Sequence, residues 1–362
     1  MKVAIVYDRI NKWGGAERVL LALHRIFPDA DLFTSVYNPK KAQWAKVFNV
    51  KTSFLQKFPK ASSSHELYAT LMPLAFEDFN FDGYDLVISV TSEAAKGIIT
   101  KPGTMHVCYC LTPTRYLWSG YDYYFDSDYL RFFSKPVIYY LRLWDKIASK
   151  RPDYFIAISN EVKGRIKKYY GRDSKIVYPP LMLDQKTGNR ESEKIGNNDY
   201  YLVVSRLVPY KRIDIAINAC NKLKLPLKII GTGTEEKNLK RIAGPTVEFL
   251  GHLTDEKVSY YYKNCKALLF PGIEDFGLAM VEAQAFGKPV IAFRGGGALD
   301  IIKEGVTGEF FDEQNPESLE KVLEKSGDRH YNSKLCVENS KRFSFEKFEK
   351  EIRSFLTDKN IL

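Results

Sequence analysis

The sequence predicts an α/β protein made of two doubly wound domains, each with a parallel β-sheet covered by helices. Short apolar or β-branched segments alternate with amphipathic helical patterns through almost all of the 362 residues, which is the rhythm of repeated βαβ units. The alternation stops once, in the charged segment 184–199, and then restarts. A chain of this length also exceeds one compact core, because a domain averages roughly 150 residues.

Each half contains its own series of predicted strands and helices. In the first half, strands are predicted at 2–7, 30–36, 85–90, 106–111, 154–159 and 175–178, and the main helices at 14–27 and 160–170. In the second half, strands are predicted at 200–205, 226–231, 247–251, 266–272 and 289–293, alternating with helices and followed by helices alone. The expected boundaries are an N-terminal domain at 1–183, a linker at 184–199, a C-terminal domain at 200–342 and a terminal helix at 343–362.

The composition is that of an ordinary globular protein. Hydrophobic residues make up 45% and charged residues 27% of the chain, which excludes global disorder. No apolar segment reaches the roughly 18 residues needed to cross a bilayer, and the N-terminus lacks the regions of a signal peptide. The five cysteines show no metal-ligand spacing, which favours reduced thiols. We therefore expect a cytoplasmic protein.

The positive charge is concentrated in the first half. Of the net charge of +10, residues 1–180 carry almost all, with 26 Lys and Arg against 17 Asp and Glu. Such a domain favours an anionic partner, but no nucleic-acid recognition motif is present, so nucleic acid is not expected. The aromatic and basic segments 40–60 and 115–151 predict either packing on the N-terminal core or peripheral contact with anionic lipid at the inner face of the membrane.

Two acids, Glu274 and Glu282, lie on either side of a predicted helix start at Gly277. The first amides of such a helix point outward and form an anion site; here they belong to Phe276, Gly277 and Leu278. A simpler interpretation is that Glu274 complements the helix dipole and Glu282 is a partly buried, solvated acid. The amides and the cations described next make a shared ligand site the better account.

The loop after the first strand of the second half carries Arg206 and Lys211 on either side of Pro209. An Arg fork and a Lys point charge both suit phosphate oxygens, although a solvated basic helix start would contain the same residues. Ligands of open parallel sheets bind beyond the carboxyl ends of the strands. We therefore expect these cations to lie at the same edge as the two acids.

Two glycine pairs also precede predicted helices. Gly231 and Gly233 form a partial dinucleotide fingerprint, but Glu236 occupies the place of its third glycine; this predicts a tight turn beside a ligand rather than an NAD site. Gly14 and Gly15 would let an anion approach the backbone at a helix start. Taken alone, the second pair is better explained by a flexible turn.

Together these segments resemble the retaining glycosyltransferases of family 4, which have the GT-B fold. The motifs that carry the resemblance are EDFGLAMVE with its flanking FPG and AFGKPVIA, SRLVPYKRID, GTG, GGGALD with GVTG, and GGAE in the first half. They cover residues 200–340 almost completely and the first half more loosely. The resemblance implies two Rossmann-like domains that face each other across a cleft, with the terminal helix 343–362 returning to the N-terminal domain.

The resemblance also implies a site for a nucleoside-diphosphate sugar. Arg206 and Lys211 would hold the diphosphate, Glu274 would bind sugar hydroxyls near the reacting carbon, and Glu282 would accept hydrogen bonds from the ribose. The donor-binding set is completed by Gly14, Gly15, Gly231, Gly233, Phe276, Gly277 and Leu278. No metal or other cofactor is expected, because cations and helix amides stabilise the leaving diphosphate.

One position departs from the family pattern. Members that resemble this chain often carry a histidine in a C-H-T-P-x-R-Y segment, where it is associated with the transferred sugar and often with its 6-hydroxyl; here Leu111 stands in its place. Three explanations remain open: a 6-deoxy sugar such as rhamnose, a site rearranged around His106 or Thr112, or weakened activity. Arg115 completes the candidates on the sugar and acceptor side.

The segment Asp126–Ser127–Asp128 resembles the metal-binding D-x-D motif of the other large glycosyltransferase fold. It follows no clear buried strand and lies among aromatic residues, so a solvated turn is the better interpretation and no metal is expected.

The sequence thus predicts a retaining, metal-independent glycosyltransferase of surface polysaccharide or O-antigen-type synthesis. It would move a hexose, with mannose from GDP-mannose as the first choice, to a saccharide or a lipid-linked saccharide. The alternatives are transfer of a 6-deoxy, rhamnose-type sugar and a catalytically inactive nucleotide-sugar-binding protein.

Overall fold

The chain divides into two compact units. A computed structural model describes residues 1–125, 127–182, 199–326 and 329–361. One unit consists of Met1–Pro180 together with Phe348–Leu362, and the other of Leu181–Lys347. Except for Asp199, the predicted linker 184–199 lies outside the described residues.

The first unit is built on a parallel sheet, to which the described residues contribute seven strands. The strands are β1 (Val3–Tyr7), β2 (Asp31–Thr34), β3 (Val50–Thr52), β4 (Leu86–Thr91), β5 (Met105–Cys110), β6 (Tyr154–Ala157) and β7 (Lys175–Ile176). The helices are α1 (Gly15–Ile26), α2 (Met72–Glu77), α3 (Tyr121–Tyr124), α4 (Asp128–Ala148) and α5 (Asn160–Tyr170). The spatial order is β3-β2-β1-β4-β5-β6-β7, so the chain reverses its direction of winding between β1 and β4.

Burial and capping explain these elements. Every residue of β1 and of β4 is buried, as expected for central parallel strands that are covered on both faces. Helix α5 begins after Ser159, whose hydroxyl accepts a hydrogen bond from the Val162 amide at 3.1 Å. It ends at Gly171, which adopts a left-handed φ of 68° that suits glycine.

The second unit contains a smaller parallel sheet, with six strands among its described residues. These are β8 (Tyr201–Val204), β9 (Leu227–Ile230), β10 (Val247–Gly251), β11 (Ala267–Phe270), β12 (Val290–Phe293) and β13 (Gly308–Phe311). The helices are α6 (Ile213–Leu223), α7 (Glu236–Ile242), α8 (Asp255–Asn264), α9 (Leu278–Ala285), α10 (Ala298–Ile301), α11 (Pro316–Ser326) and α12 (Ser333–Ser340), followed by α13 (Phe345–Asp358). The spatial order β10-β9-β8-β11-β12-β13 reverses between β8 and β11.

Two short strands differ from the sequence-based expectation. The prediction of helices alone after residue 293 is wrong, because β13 pairs in parallel with β12. Its first residue, Gly308, weakens the strand pattern but is required by packing, since a Cβ there would lie 2.0 Å from the Val290 carbonyl oxygen. Strand β3 has only three residues and pairs with β2, which leaves too little pattern to recognise.

From Phe348 onward, α13 packs on the first unit. The Phe348 ring lies edge-on to Tyr109 with 6.0 Å between centroids, and Phe355 lies edge-on to Tyr154 at 5.9 Å. None of the helices in the described part of the chain is both long and apolar enough to span a membrane. The predicted fold class, α/β with two doubly wound parallel sheets, is confirmed.

Candidate functional site

The switch point of the second sheet brings two predicted catalytic residues together. The loops after the adjacent strands β8 and β11 carry Lys211 and Glu274, and the Lys211 ammonium forms an ion pair with the Glu274 carboxylate. Their side chains are only 11% and 19% exposed. Crevices at switch points beyond the carboxyl ends of strands are the usual ligand sites of such sheets. The two charges therefore lie where a ligand is expected.

Close backbone contacts set the positions of these two loops. A Cβ on Gly272 would lie 2.8 Å from the Lys211 Cα, and one on Gly296 would lie 2.3 Å from the Glu274 carbonyl oxygen. The Gly297 amide also donates to that oxygen, at 2.9 Å. Larger side chains would force the loops apart, so the glycines of the predicted GGG loop hold Glu274 in place.

Helix α9 begins one residue later than predicted. Gly277 precedes it with a left-handed φ of 97°, and the amides of the first helical turn have no partner within the helix. Phe276 is buried, whereas Leu278 is partly exposed. The predicted anion site thus starts at a strained position that only glycine adopts easily.

Glu282, on the second turn of α9, is buried and accepts a hydrogen bond from the Tyr262 hydroxyl at 3.0 Å. Tyr262 lies on α8, is fully buried, and stacks on Phe286 with 5.8 Å between centroids. Sequence reasoning missed Tyr262; the only signal was its place in an aromatic run at 260–262. The carboxylate is therefore oriented by a neighbour rather than solvated.

Arg206 lies in the same loop as Lys211 and is exposed. Its Nη2 donates to the Tyr210 hydroxyl at 2.6 Å, and the Lys211 ammonium lies 5.2 Å from the centre of the Tyr210 ring. Tyr210 thus contacts both cations, although no sequence motif pointed to it. The loop ends in a 3-10 turn at Pro209–Lys211 before α6.

Gly231 and Gly233 face backbone rather than open space. A Cβ on Gly231 would lie 1.8 Å from the Ser205 carbonyl oxygen, and one on Gly233 would lie 2.1 Å from that of Leu207. The Leu207 amide also donates to the Thr232 carbonyl at 3.0 Å. These glycines are required because the loop after β9 packs against the loop that carries Arg206.

In the first unit, Gly14 is extended (φ −178°) and Gly15 is the first residue of α1. Glu17 lies beneath them: it is buried, accepts a hydrogen bond from the Tyr7 hydroxyl at 2.9 Å, and would lie 3.1 Å from a Cβ on Gly14. Burial raises the pKa of Glu17. Because the Glu17 carboxylate lies so close, a small residue fits best at position 14.

The switch point of the first sheet contains a buried polar network that sequence reasoning missed. Asp8, directly after β1, accepts hydrogen bonds from the Thr91 hydroxyl (2.9 Å) and from the amides of Ser92 (2.7 Å) and Ala95 (2.9 Å). Burial raises its pKa, and Glu93 adds to the effect. Asp8 therefore ties the loop after β1 to the loop after β4.

A buried ion pair continues this network. Lys96 Nζ lies 2.5 Å from Asp145 Oδ1, and both side chains are 1% exposed. Asp145 also accepts hydrogen bonds from the side chains of Thr114, Trp118 and Tyr170. Burial alone would lower the pKa of Lys96, but the Asp145 carboxylate outweighs it and the pKa lies above its usual value. Lys96 therefore stays charged inside the unit.

Leu111, Thr112 and Arg115 follow the carboxyl end of β5. The Leu111 amide donates to the Thr91 carbonyl at 2.8 Å, and the buried Thr112 hydroxyl accepts from Arg165 at 3.3 Å. Arg115 is partly exposed. These residues lie at the carboxyl edge of the first sheet, where ligands of open parallel sheets usually bind.

His106 does not fit the role in which the sequence placed it. It lies near the amino end of β5, is fully buried, and its Nε2 is 2.8 Å from the Ser89 hydroxyl. Burial, with the charges of Arg151 and Arg172, lowers its pKa to about 3. Four residues of extended strand separate it from the end of β5, roughly 13 Å at about 3.3 Å each. His106 therefore cannot replace a histidine at position 111.

The described residues contain no group of three or more His, Cys, Asp or Glu side chains placed to hold a metal ion. Of the D-x-D segment, Asp126 lies outside the described residues, and Asp128 is the exposed first residue of α4.

Comparison with known proteins shows that the second unit is similar in sequence to a family of transferases. Residues 184–343 match the model described as glycosyl transferases group 1. An uncharacterised glycosyltransferase of Methanocaldococcus jannaschii is 30% identical over 57% of this chain and 60% of its own length. The O-antigen chain mannosyltransferase C of Escherichia coli is 27% identical over 56% of this chain and 57% of its own. The chain thus spans about 60% of the length of these curated relatives.

The whole chain can be compared with solved structures. The crystal structure of HepE from Anabaena, in complex with UDP and glucose, superposes with a TM-score of 0.72 over 99% of this chain and 100% of the other, at 20% identity. The fold is GT-B. Sequence similarity to the transferase family is concentrated in the second GT-B unit, which also contains Lys211 and Glu274.

Proposed function

We propose that this chain is a retaining, metal-independent glycosyltransferase. It transfers a hexose from a nucleoside-diphosphate sugar to a saccharide or lipid-linked saccharide in surface polysaccharide or O-antigen-type synthesis. The observation that carries this proposal is the pairing of Lys211 with Glu274 at the switch point, at the head of α9. The similarity of the second unit to glycosyl transferases group 1 supports it.

The site residues suit the departure of a nucleoside diphosphate. Arg206 and Lys211, with the first amides of α9, provide positive potential where negative charge develops on the leaving group. Glu274 is paired with Lys211; a bound diphosphate would compete for the ammonium and leave the carboxylate to accept hydrogen bonds from sugar hydroxyls. Glu282, oriented by Tyr262, would accept hydrogen bonds from the ribose.

GDP-mannose is the first choice of donor because the similar E. coli protein is an O-antigen chain mannosyltransferase. The purified chain should be incubated with GDP-mannose, UDP-glucose and a 6-deoxy donor, with and without EDTA. Release of nucleoside diphosphate and thermal stabilisation are then measured for each donor. We expect GDP-mannose to stabilise the protein most and to be turned over at the same rate with EDTA.

The outcomes of this panel separate the alternatives. Stabilisation by a nucleotide sugar without any turnover, even with saccharide acceptors, would support a catalytically inactive binding protein instead. No stabilisation by any donor would overturn the proposal. The anomeric configuration of the first transferred sugar, read by NMR, tests retention.

Leu111 favours a second donor, a 6-deoxy sugar. Its aliphatic side chain follows β5 at the ligand-binding edge and cannot hydrogen-bond a 6-hydroxyl, whereas it would pack well against a methyl group. Leu111→His should then raise the rate with GDP-mannose relative to its 6-deoxy analogue. Faster transfer by the unmodified chain from GDP-mannose than from any 6-deoxy donor would exclude this choice.

We also propose that α4 docks the first unit on anionic lipid. One stripe of this helix is apolar and exposed: Tyr129, Phe132, Phe133, Pro136, Tyr140, Leu143 and Ile147. At 100° per residue, this stripe lies opposite the buried residues Ile138, Leu141, Asp145 and Ala148. Lys135 and Lys146 on the same helix are exposed and would bind acidic headgroups, which is the usual composition of an interfacial helix.

Vesicle sedimentation tests this docking. The double change Phe132→Ser and Phe133→Ser should weaken binding to phosphatidylglycerol vesicles at least about tenfold, because a buried Phe contributes about 1.5–3 kcal/mol. The matched control is Leu67→Ser with Ile99→Ser, two exposed apolar residues of the same unit outside α4. An equal loss in the control, or no binding by the unmodified chain, would contradict the proposal.

A further inference from the structure

A small pocket lies in the first unit at the carboxyl edge of its sheet. Three loops form it, and they follow the neighbouring strands β1, β2 and β3. Its volume is about 220 Å³. Its lining includes Arg9, Asn11, Lys12, Lys41, His65 and Glu66. Gly14 and Gly15 are not among the residues that line it.

The lining is strongly cationic. Arg9, Lys12 and Lys41 contribute three positive charges, and the single carboxylate of the lining, Glu66, is 74% exposed. Lys12 and Lys41 are exposed and belong to loops 29 residues apart, whereas Arg9 is largely buried. The concentration of charge in one concave site favours an anionic ligand.

Arg9 lines the pocket and is paired with a neighbouring carboxylate. Its Nη1 lies 2.5 Å from Glu93 Oε1, which holds the guanidinium in one orientation. Within the described residues, however, the buried Arg9 Nε has no hydrogen-bond partner. A buried N–H without an acceptor is costly, and an anion oxygen in the pocket would satisfy it.

His65 also lies in the positive electrostatic potential of the pocket. Its side chain is 8% exposed, and its Nδ1 has no hydrogen-bond partner among the described residues, with the Glu66 carboxylate at 3.4 Å. Burial and the charges of Arg9 and Lys12 lower its pKa to about 4. The neutral imidazole therefore lines the pocket at pH 7 and can hydrogen-bond a ligand oxygen.

We propose that this pocket binds a phosphoryl group. A dianion with three terminal oxygens suits an Arg fork together with two ammonium groups and neutral side chains such as Asn11. The volume corresponds to about seven waters at roughly 30 Å³ each, which accommodates a phosphate and part of an attached group. Phosphoryl binding here does not depend on the donor-site residues of the second unit. The proposal for this pocket can therefore be tested separately from the proposed sugar transfer.

Inorganic phosphate is the direct probe. It should be titrated at constant ionic strength while the His65 ring is followed by NMR, which is practical because the chain has only five histidines. A His65→Gln variant assigns the signal. We expect bound phosphate to raise the pKa of His65 by at least about one unit, because a nearby anion stabilises the imidazolium.

Matched charge removals locate the site. Lys12→Ala with Lys41→Ala should weaken phosphate binding at least about tenfold. Lys46→Ala with Lys57→Ala removes the same charge from exposed lysines of the same unit that do not line the pocket, and should change affinity less than twofold. Equal losses in both pairs, or an unchanged His65 signal on addition of phosphate, would overturn the proposal.

Two kinds of ligand, a phosphorylated acceptor analogue and nucleoside diphosphates, then identify the source of the phosphate. If the pocket takes an acceptor's phosphate, the Lys12→Ala, Lys41→Ala protein loses affinity for glycerol 3-phosphate and keeps that for GDP and UDP. If it takes part of the donor, affinity for the nucleoside diphosphates falls instead. Loss of affinity for neither would argue against a phosphoryl site.

Discussion

In the second unit, the charged side chains at the switch point between β8 and β11 lie in loops and remain partly exposed, whereas those at the switch point of the first unit are buried. Lys211 and Glu274 pair with each other and keep 11% and 19% of their side-chain surface exposed. Asp8 instead binds the amides of Ser92 and Ala95, and Lys96 pairs with Asp145 inside the unit. The same topological position can thus present charge to a ligand or fasten loops together.

The difference follows from what each carboxylate contacts. Asp8 is saturated by backbone amides and a hydroxyl, so it has little capacity left for a ligand. Glu274 faces one flexible ammonium, which an incoming phosphate can attract away. We therefore expect changes in the first network to reduce stability and changes in the second to reduce activity.

The largest effect should come from breaking the buried pair of the first unit. Lys96→Met leaves the Asp145 carboxylate buried without its cation, which typically costs about 3–5 kcal/mol. Urea unfolding followed by tryptophan fluorescence measures it, because Trp13, Trp44, Trp118 and Trp144 all lie in this unit. The control, Asp82→Asn, removes the exposed partner of Lys101 and should leave the midpoint unchanged. If both variants have the same unfolding midpoint, the buried pair does not stabilise the first unit.

The second effect concerns the partly buried pair Lys211–Glu274 of the second unit. Glu274→Ala should lower the transfer rate about 100- to 1000-fold, the usual consequence of removing one group that stabilises the transition state. Affinity for the nucleoside diphosphate should stay the same or rise, because Lys211 loses its competing carboxylate. Lys211→Ala should also lower the transfer rate, but it should reduce nucleoside-diphosphate affinity at least about tenfold. Calorimetric titration and a product assay measure the two quantities, and an active Glu274→Ala enzyme would refute the assignment.

A third, smaller effect tests whether Glu282 binds ribose. Glu282→Gln should weaken nucleoside-diphosphate binding about tenfold, or about 1.4 kcal/mol. The 2′-deoxy and 3′-deoxy nucleotides should bind the unmodified chain more weakly. If one of these hydroxyls donates to Glu282, the variant should no longer discriminate against the matching deoxy form, since interacting groups are not additive. Fully additive losses for both nucleotides would place the ribose elsewhere.

Much of the fold could be predicted because its signals are local. Strands such as β1 and β4 are continuous apolar runs, and capping residues such as Ser159 and Gly171 mark helix ends. Strand β13 was missed because its first residue is a glycine that close packing requires. Short strands at a sheet edge carry too few residues to show a period.

The site in the second unit was accessible to sequence reasoning for a geometric reason. Lys211 and Glu274 each lie in the loop that follows a strand, and the carboxyl ends of parallel strands share one edge. The first-unit network offers no such rule, because Lys96 and Asp145 are 49 residues apart and Asp145 lies within a helix. Tyr262 was likewise hidden, because nothing in an aromatic run shows which hydroxyl reaches Glu282.

At neutral pH, His106 gives the smallest expected effect, because its lowered pKa changes stability only at lower pH. Its folded pKa, about 3, lies below the ordinary value of about 6.5. Between these two values the unfolded chain binds a proton that the folded chain does not, so His106 costs stability as the pH falls from about 6.5 to 3. Above pH 6.5 its effect is constant. One proton corresponds to a slope of about 1.4 kcal/mol per pH unit. His106→Gln should flatten the dependence of the unfolding free energy on pH by up to this amount. An unchanged slope in His106→Gln would mean that His106 is protonated in the fold and that its environment is more polar than its burial implies.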